Sequence, residues 1–172
     1  MVKSYSKINL FLKVLKKNNN GLHNIQSSVM LLGLHDNISL KKINNNKDNI
    51  EFIGQFKKDI NKNTNTISKS LSLLRKHNLI DQKKRYKITV NKKIPVFSGL
   101  GGGTSNAVFL IKYFLKNKIS DRLLRIFEEK IGSDFRLFFF NHSFQKNLKK
   151  ILKFKKKYTL YFVLVYPNIN SS

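Results

Sequence analysis

The chain has 172 residues and a mass of 20.1 kDa, room for one domain and not for a large multidomain enzyme. Hydrophobic residues make up 41% and aromatics 12%, with 14 Phe and no Trp, which is enough apolar surface to close a core and excludes disorder throughout. The absence of cysteine removes disulfides, thiolate metal sites and thiol redox chemistry.

Charge is the most lopsided property. Lys and Arg total 34 against 9 Asp and Glu, a net charge of +25, which draws polyanions to a surface. The excess is nearly all Lys and comes with abundant Asn, Ile and Phe, the joint bias expected of AT-rich codon choice. It is also spread along the chain and not gathered into the stripe that nucleic-acid binders carry. A nucleic-acid partner is therefore ranked below a small-molecule one. No apolar run is long enough to span a bilayer, and Met1 to Leu12 lacks the order of a signal peptide. No membrane partner and a cytoplasmic location are expected.

Ser4 to Leu15 alternates Ile8, Leu10, Leu12 and Val14 with Lys7, Asn9, Phe11 and Lys13, the period of a half-buried strand with its apolar side on the core. Asn18 to Gly21 supply a turn, and a second strand is expected from Ile25 to Leu34. Shorter strands near Asn37 to Ile43 and Asn49 to Ile53, split by a polar cluster at 44–48, complete a predicted β-meander. From Asn65 the period changes: Ile67, Leu71, Leu74 and Leu79 fit an amphipathic helix to about Asn78, with Thr64 or Asn65 as N-cap. Tyr86 to Lys92 reads as a strand, Ala107 to Lys116 as an apolar helix, and Ser120 or Asp121 caps a helix that Gly132 ends. Ser143 to Lys157 is a lysine-rich helical candidate and Tyr158 to Tyr166 a β-prone strand.

Four of the chain's 8 glycines fall between Gly99 and Gly103, where the strand ending near Lys92 meets the helix at Ala107. Glycine lets backbone N–H groups converge on a ligand without a Cβ in the way, and the following helix start adds free amides and a positive dipole end. Thr104 and Ser105 add hydroxyl donors. The run lacks the Gly-Lys-Ser/Thr of a Walker loop and the acidic residue of a dinucleotide fingerprint, so it reads as a third kind of phosphate loop.

Pro95-Val96-Phe97-Ser98-Gly99-Leu100-Gly101-Gly102-Gly103-Thr104-Ser105-Asn106-Ala107 closely resembles the nucleotide loop of the GHMP kinases. Ser6 to Leu12, Gly21-Leu22-His23 with Gln26-Ser27, and Gly132-Ser133-Asp134 resemble other segments of the same family in the same order. The resemblance implies an α+β domain of the GHMP kinase N-terminal kind, a ribosomal-protein-like two-layer fold with a mostly antiparallel sheet backed by helices. It points to the branch that moves the γ-phosphate of ATP onto a hydroxyl of cytidyl-diphosphate methylerythritol in isoprenoid precursor synthesis, with Mg²⁺ accompanying the nucleotide.

Residue by residue, the resemblance makes Lys7 and Asp134 the catalytic pair, Asp134 accepting the hydroxyl proton. Such a pair suits phosphoryl transfer, which is mostly positioning and charge stabilisation. Pro95, Val96, Phe97, Ser98, Gly99, Leu100, Gly101, Gly102, Gly103, Thr104 and Ser105, with Asn65, are implied to bind ATP, and Asn9 and His23 the cytidyl substrate. Leu22 stands where the family has Tyr, and Phe135-Arg136-Leu137 departs from the small residues usual after the aspartate. Family members also carry a C-terminal domain. Residues 1–157 are thus expected to be the ATP-binding domain and 158–172 the final strand and the start of that further part, which a homodimer or a separate chain is left to supply. A catalytically weak remnant and a basic RNA-binding domain of the same fold are the competing readings.

Overall fold

A computed structural model of the chain describes residues 1–17, 23–58, 60–61, 64–147, 150–154 and 159–166. The strands β1 (Val2–Lys17) and β2 (His23–Ile43) form a long antiparallel ribbon, from Val2 opposite Ile38 to Lys17 opposite His23. Then come β3 (Asn49–Ile53), α1 (Thr66–Lys76), β4 (Arg85–Asn91), α2 (Gly102–Phe114), α3 (Asp121–Ile131), a 3-10 turn (Phe135–Phe139), β5 (His142–Gln145) and β6 (Ile151–Lys153). The α+β architecture expected of the sequence is present: a six-stranded, mostly antiparallel sheet backed by helices.

The strand β2 organises the sheet. One edge pairs with β1, while the other is shared between β5 at Ser27–Met30 and β4 at Asn37–Ile43. Between those two pairings lies a stretch of edge where Asp36 faces the exit of β4, and this stretch positions the site. Helices cover the sheet through two apolar clusters. Ile38, Ile88, Val90, Ile67, Leu71 and Leu110 join sheet to α1 and α2, and Leu74, Val108, Ile111, Phe127, Phe135 and Phe138 join the helices to the 3-10 turn. Full burial of each such side chain is worth roughly 1.5–3 kcal/mol. Asn65 caps α1 in a capping box, accepting from the Ser68 amide at 2.9 Å while its own amide donates to Ser68 Oγ at 3.2 Å.

Four expectations are corrected. The meander does not form: the stretches read as 25–34 and 37–43 are one strand, because Asp36 is used for burial and not for a turn, and β3 runs parallel to β4. Leu10, Leu12 and Val14 are exposed instead of buried, and so are Phe11 and Lys13 between them, because this outer part of the ribbon is covered on neither face among the described residues. The helix expected over 143–157 is replaced by β5 and β6, whose pairing fills the free edge of β2; Ser143 and Gln145 turn inward at strand period, and 148–149 and 155–157 lie outside the described residues. The strand expected at 158–166 has no ladder partner among the described residues over 159–166, and Tyr158 lies outside them.

Candidate active site

The glycine loop leaves β4 and enters α2 through two left-handed turns, Gly99 at φ +74° and Gly101 at φ +69°. Gly101 is doubly constrained. A Cβ there would lie 2.8 Å from Phe138 Cζ and 3.2 Å from Lys7 Cγ, so both backbone angle and space demand glycine. The carbonyl of Leu100 accepts the Lys7 amide at 3.0 Å, tying the loop to β1 at its register shift. Thr66 Oγ1 donates to the Gly103 carbonyl at 2.8 Å and ties it to α1. With both flanks pinned, the first amides of α2 lack intrahelical acceptors and stand at the mouth of a cleft of about 530 Å³.

That cleft is bounded by the loop on one side and by residues around 60–66 on the other. Of the residues assigned to ATP, Asn65, Pro95, Val96, Phe97, Ser98, Gly99, Gly101, Gly102, Gly103 and Thr104 line it, together with Asp134. Phe97 holds φ +59° with 66% exposure, an uncommon backbone for an aromatic residue. Asn65 reaches the cleft rim while its side chain caps α1. Leu100 does not line the cleft and contributes through its carbonyl. Ser105 departs from its expected role as a hydroxyl donor to the ligand: it is fully buried, its hydroxyl donates to the Tyr5 carbonyl at 2.5 Å and meets Ser4 Oγ at 2.7 Å.

Lys7 and Asp134 come from opposite ends of the chain and meet, Nζ to Oδ2, at 3.3 Å. The register shift leaves both Ser6 and Lys7 buried, and Lys7 Nζ also donates to Asn9 Oδ1 at 2.7 Å. Asn9 is held in turn by Ser27 Oγ at 2.9 Å, and Ser27 by the Phe11 carbonyl at 2.7 Å. Asp134 is fixed from behind by the 3-10 turn, where Phe135, Leu137 and Phe138 are buried and the Leu137 amide donates to the Asp134 carbonyl at 3.0 Å. The Lys7 side chain is 10% exposed and that of Asp134 34%, so the ammonium is nearly enclosed and the carboxylate opens on the cleft. His23 opens β2 opposite Lys17, at the end of the ribbon, whereas Lys7 lies within it opposite Leu31. On β5, His142 meets Ser28 Oγ of β2 at 3.0 Å and stacks on Phe154 with centroids 4.0 Å apart, and burial pushes its imidazole below the ordinary histidine range.

A second charged group was not singled out by the sequence reading. Lys92 and Asp36 form an ion pair with 3% and 0% side-chain exposure. The only prior sign of it was an acid, one of 9, set within the apolar pattern of β2.

Comparisons with known proteins agree with this geometry. The family described as GHMP kinases N terminal domain matches residues 65–135, which carry α1, the glycine loop and Asp134. The 4-diphosphocytidyl-2-C-methyl-D-erythritol kinase of Pelagibacter ubique is 37% identical over 180 residues, covering 99% of this chain and 61% of that protein. The chain belongs to the GHMP kinase family. The kinases of the same name from Buchnera aphidicola and Ureaplasma parvum are 33% and 30% identical, with 60% and 66% of their lengths covered. This GHMP chain therefore spans between three fifths and two thirds of those relatives. A crystal structure of 4-(cytidine 5'-diphospho)-2C-methyl-D-erythritol kinase matches 88% of the chain and 53% of its own with a TM-score of 0.64 at 20% identity, a likeness of fold. Among the described residues no helix is long and apolar enough to cross a membrane.

Proposed function

We propose that this chain is the nucleotide-holding part of an ATP-dependent kinase that phosphorylates the 2-hydroxyl of 4-diphosphocytidyl-2-C-methyl-D-erythritol, the substrate named for its relatives. In this reading residues 1–157 are the ATP-binding domain. The observation that carries it is the 3.3 Å Lys7–Asp134 pair opening on the cleft that the glycine loop lines.

Asp134 accepts the proton of the attacking hydroxyl, because among the described residues its carboxylate is the acidic group that lines the cleft. Lys7, steadied by Asn9, offsets charge that builds on the transferred phosphoryl group. The glycine-loop amides and the start of α2 hold the polyphosphate. Asn9 and His23 lie on the ribbon where the cytidyl substrate is assigned.

The cleft also suits a magnesium ion arriving with the nucleotide. Magnesium is commonly held by one or two carboxylates plus phosphate oxygens and water. Among the described residues no group of three metal-ligating side chains occurs, so a protein-only cage is not what this site offers. Asp134 and Thr104, whose hydroxyl lies close to Gly132, are the residues placed to meet the ion. When bound, it would neutralise phosphate charge.

Calorimetry of the chain with ATP, followed by ³¹P NMR with the cytidyl substrate, tests the reading. Asp134→Asn is expected to lower turnover by about 10²–10⁴-fold while ATP affinity stays within a few-fold. A chain that binds no ATP, or an Asp134→Asn variant that turns over like the parent, overturns it.

A further inference from the structure

Beneath the glycine loop lies the ion pair that the phosphoryl-transfer reading leaves unused. Asp36 Oδ1 accepts the amides of Lys93 at 2.7 Å and Ile94 at 2.9 Å, fixing the point where β4 leaves the sheet. Its Oδ2 accepts the Lys92 ammonium and Asn106 Nδ2, the latter at 3.0 Å. Asn106 Oδ1 takes a second Lys92 proton at 3.1 Å, and Asn106 Nδ2 also reaches Ser4 Oγ at 3.0 Å. The cluster thus joins β1, β2, the end of β4 and α2.

Two features of Lys92 go beyond an anchor. An ammonium has three protons to donate, and among the described residues Asp36 and Asn106 are its partners. Lys92 nevertheless lines the nucleotide cleft, and a Cβ on Gly102 would lie 3.4 Å from its Nζ, so the charge sits directly under the first residue of α2. Removing two ions from water is costly, and apolar replacement of such pairs is often neutral or stabilising. The carboxylate of Asp36 by itself accepts the Lys93 and Ile94 amides, so this anchor does not call for an ammonium at position 92. A charge with a donor left over, placed where a helix start already favours anions, has a further use when an anion occupies the cleft.

We propose that Lys92 is a polyphosphate-binding residue, its ammonium held by Asp36 and Asn106 so that it attracts the nucleotide's phosphates from beneath the glycine loop. This rests on the reading of the cleft as a nucleotide site. Lys92 thereby selects for the number of phosphates and not for the base.

The test uses the full chain and calorimetric titration with ATP, AMP and adenosine. Lys92→Met combined with Asp36→Asn removes both charges together and keeps an acceptor for the Lys93 and Ile94 amides. This double variant is expected to bind ATP at least tenfold more weakly, AMP less affected, and adenosine within twofold of the parent. Unchanged ATP affinity overturns the proposal, and so does an equal loss for all three ligands, which marks a displaced loop. Should the double variant not unfold cooperatively on heating, Lys92→Gln combined with Asp36→Asn keeps polar groups at both positions without either charge and is read by the same ratios. A parent chain that binds neither ATP nor adenosine defeats the nucleotide reading itself, an outcome separate from unchanged ratios.

Discussion

The glycine loop and the segment 159–166 are held in place by opposite means. Around the loop, polar groups leave little freedom: Asp36, Ser105 and Asn106 are almost wholly buried and each makes at least two hydrogen bonds. The segment 159–166 is apolar, yet Tyr161, Val163 and Val165 are 95%, 92% and 85% exposed and it joins no ladder among the described residues. Tyr166 meets Phe56 edge-on, ring centroids 5.5 Å apart. The contrast teaches that the loop is positioned by directional, buried polar contacts, whereas apolar composition alone leaves 159–166 open. Apolar side chains are left open on the outer part of β1 and along 159–166, while charged ones are buried beneath the loop.

The largest expected effect breaks the comparison at its polar end. Asp36→Ala leaves the Lys92 ammonium buried without its counter-charge and frees the Lys93 and Ile94 amides, a loss of about 3–5 kcal/mol. Urea denaturation followed by circular dichroism reads it, and a loss below about 1 kcal/mol would mean that the region rearranges around the vacancy. Gly101→Ala follows. An alanine at φ +69° costs about 1–2 kcal/mol, and its methyl collides with Phe138 Cζ at 2.8 Å, adding about 1–3 kcal/mol of overpacking. ATP affinity is expected to fall alongside stability, because the helix start that holds the phosphates moves with the clash. Weakened binding at unchanged stability would place the effect on the ligand and not on the loop.

These same residues show what the sequence made legible and what it did not. The density of glycine from 99 to 103 announced a ligand loop, since a plain turn needs one or two glycines. The Lys7–Asp134 meeting came from resemblance and not from pattern, because Lys7 is one of 34 basic residues and spacing along a chain does not report distance in space. The pair Asp36–Lys92 went unseen for the same reason: partners 56 residues apart need the topology, in which β4 lies beside β2. Periodicity misled where tertiary pairing overrode it. The lysine-rich run after His142 has a helical spacing, but the free edge of β2 at Ser27–Met30 offers a ladder, and β5 takes it. Ser105 was read by chemistry alone as a donor to the ligand, whereas its place one turn into α2 directs the hydroxyl inward to Ser4 and Tyr5.

The smallest effect sharpens the other side of the comparison. Val163 has 92% of its surface open, so Val163→Ser removes little buried area, and its stability change is expected to stay within about 0.5 kcal/mol. Self-association should respond more than folding does, because contiguous exposed apolar side chains drive contact between copies and one hydroxyl interrupts them. Thermal melts at low concentration and sedimentation at high concentration separate the two quantities. A melting point that drops by several degrees with no change in association would mean that Val163 is packed in solution, and that hydrophobic contact fixes this segment as firmly as polar contacts fix the loop. An unchanged melting point with weaker association would instead establish that the segment contributes to contact between molecules while the buried charges beneath the glycine loop contribute to the fold.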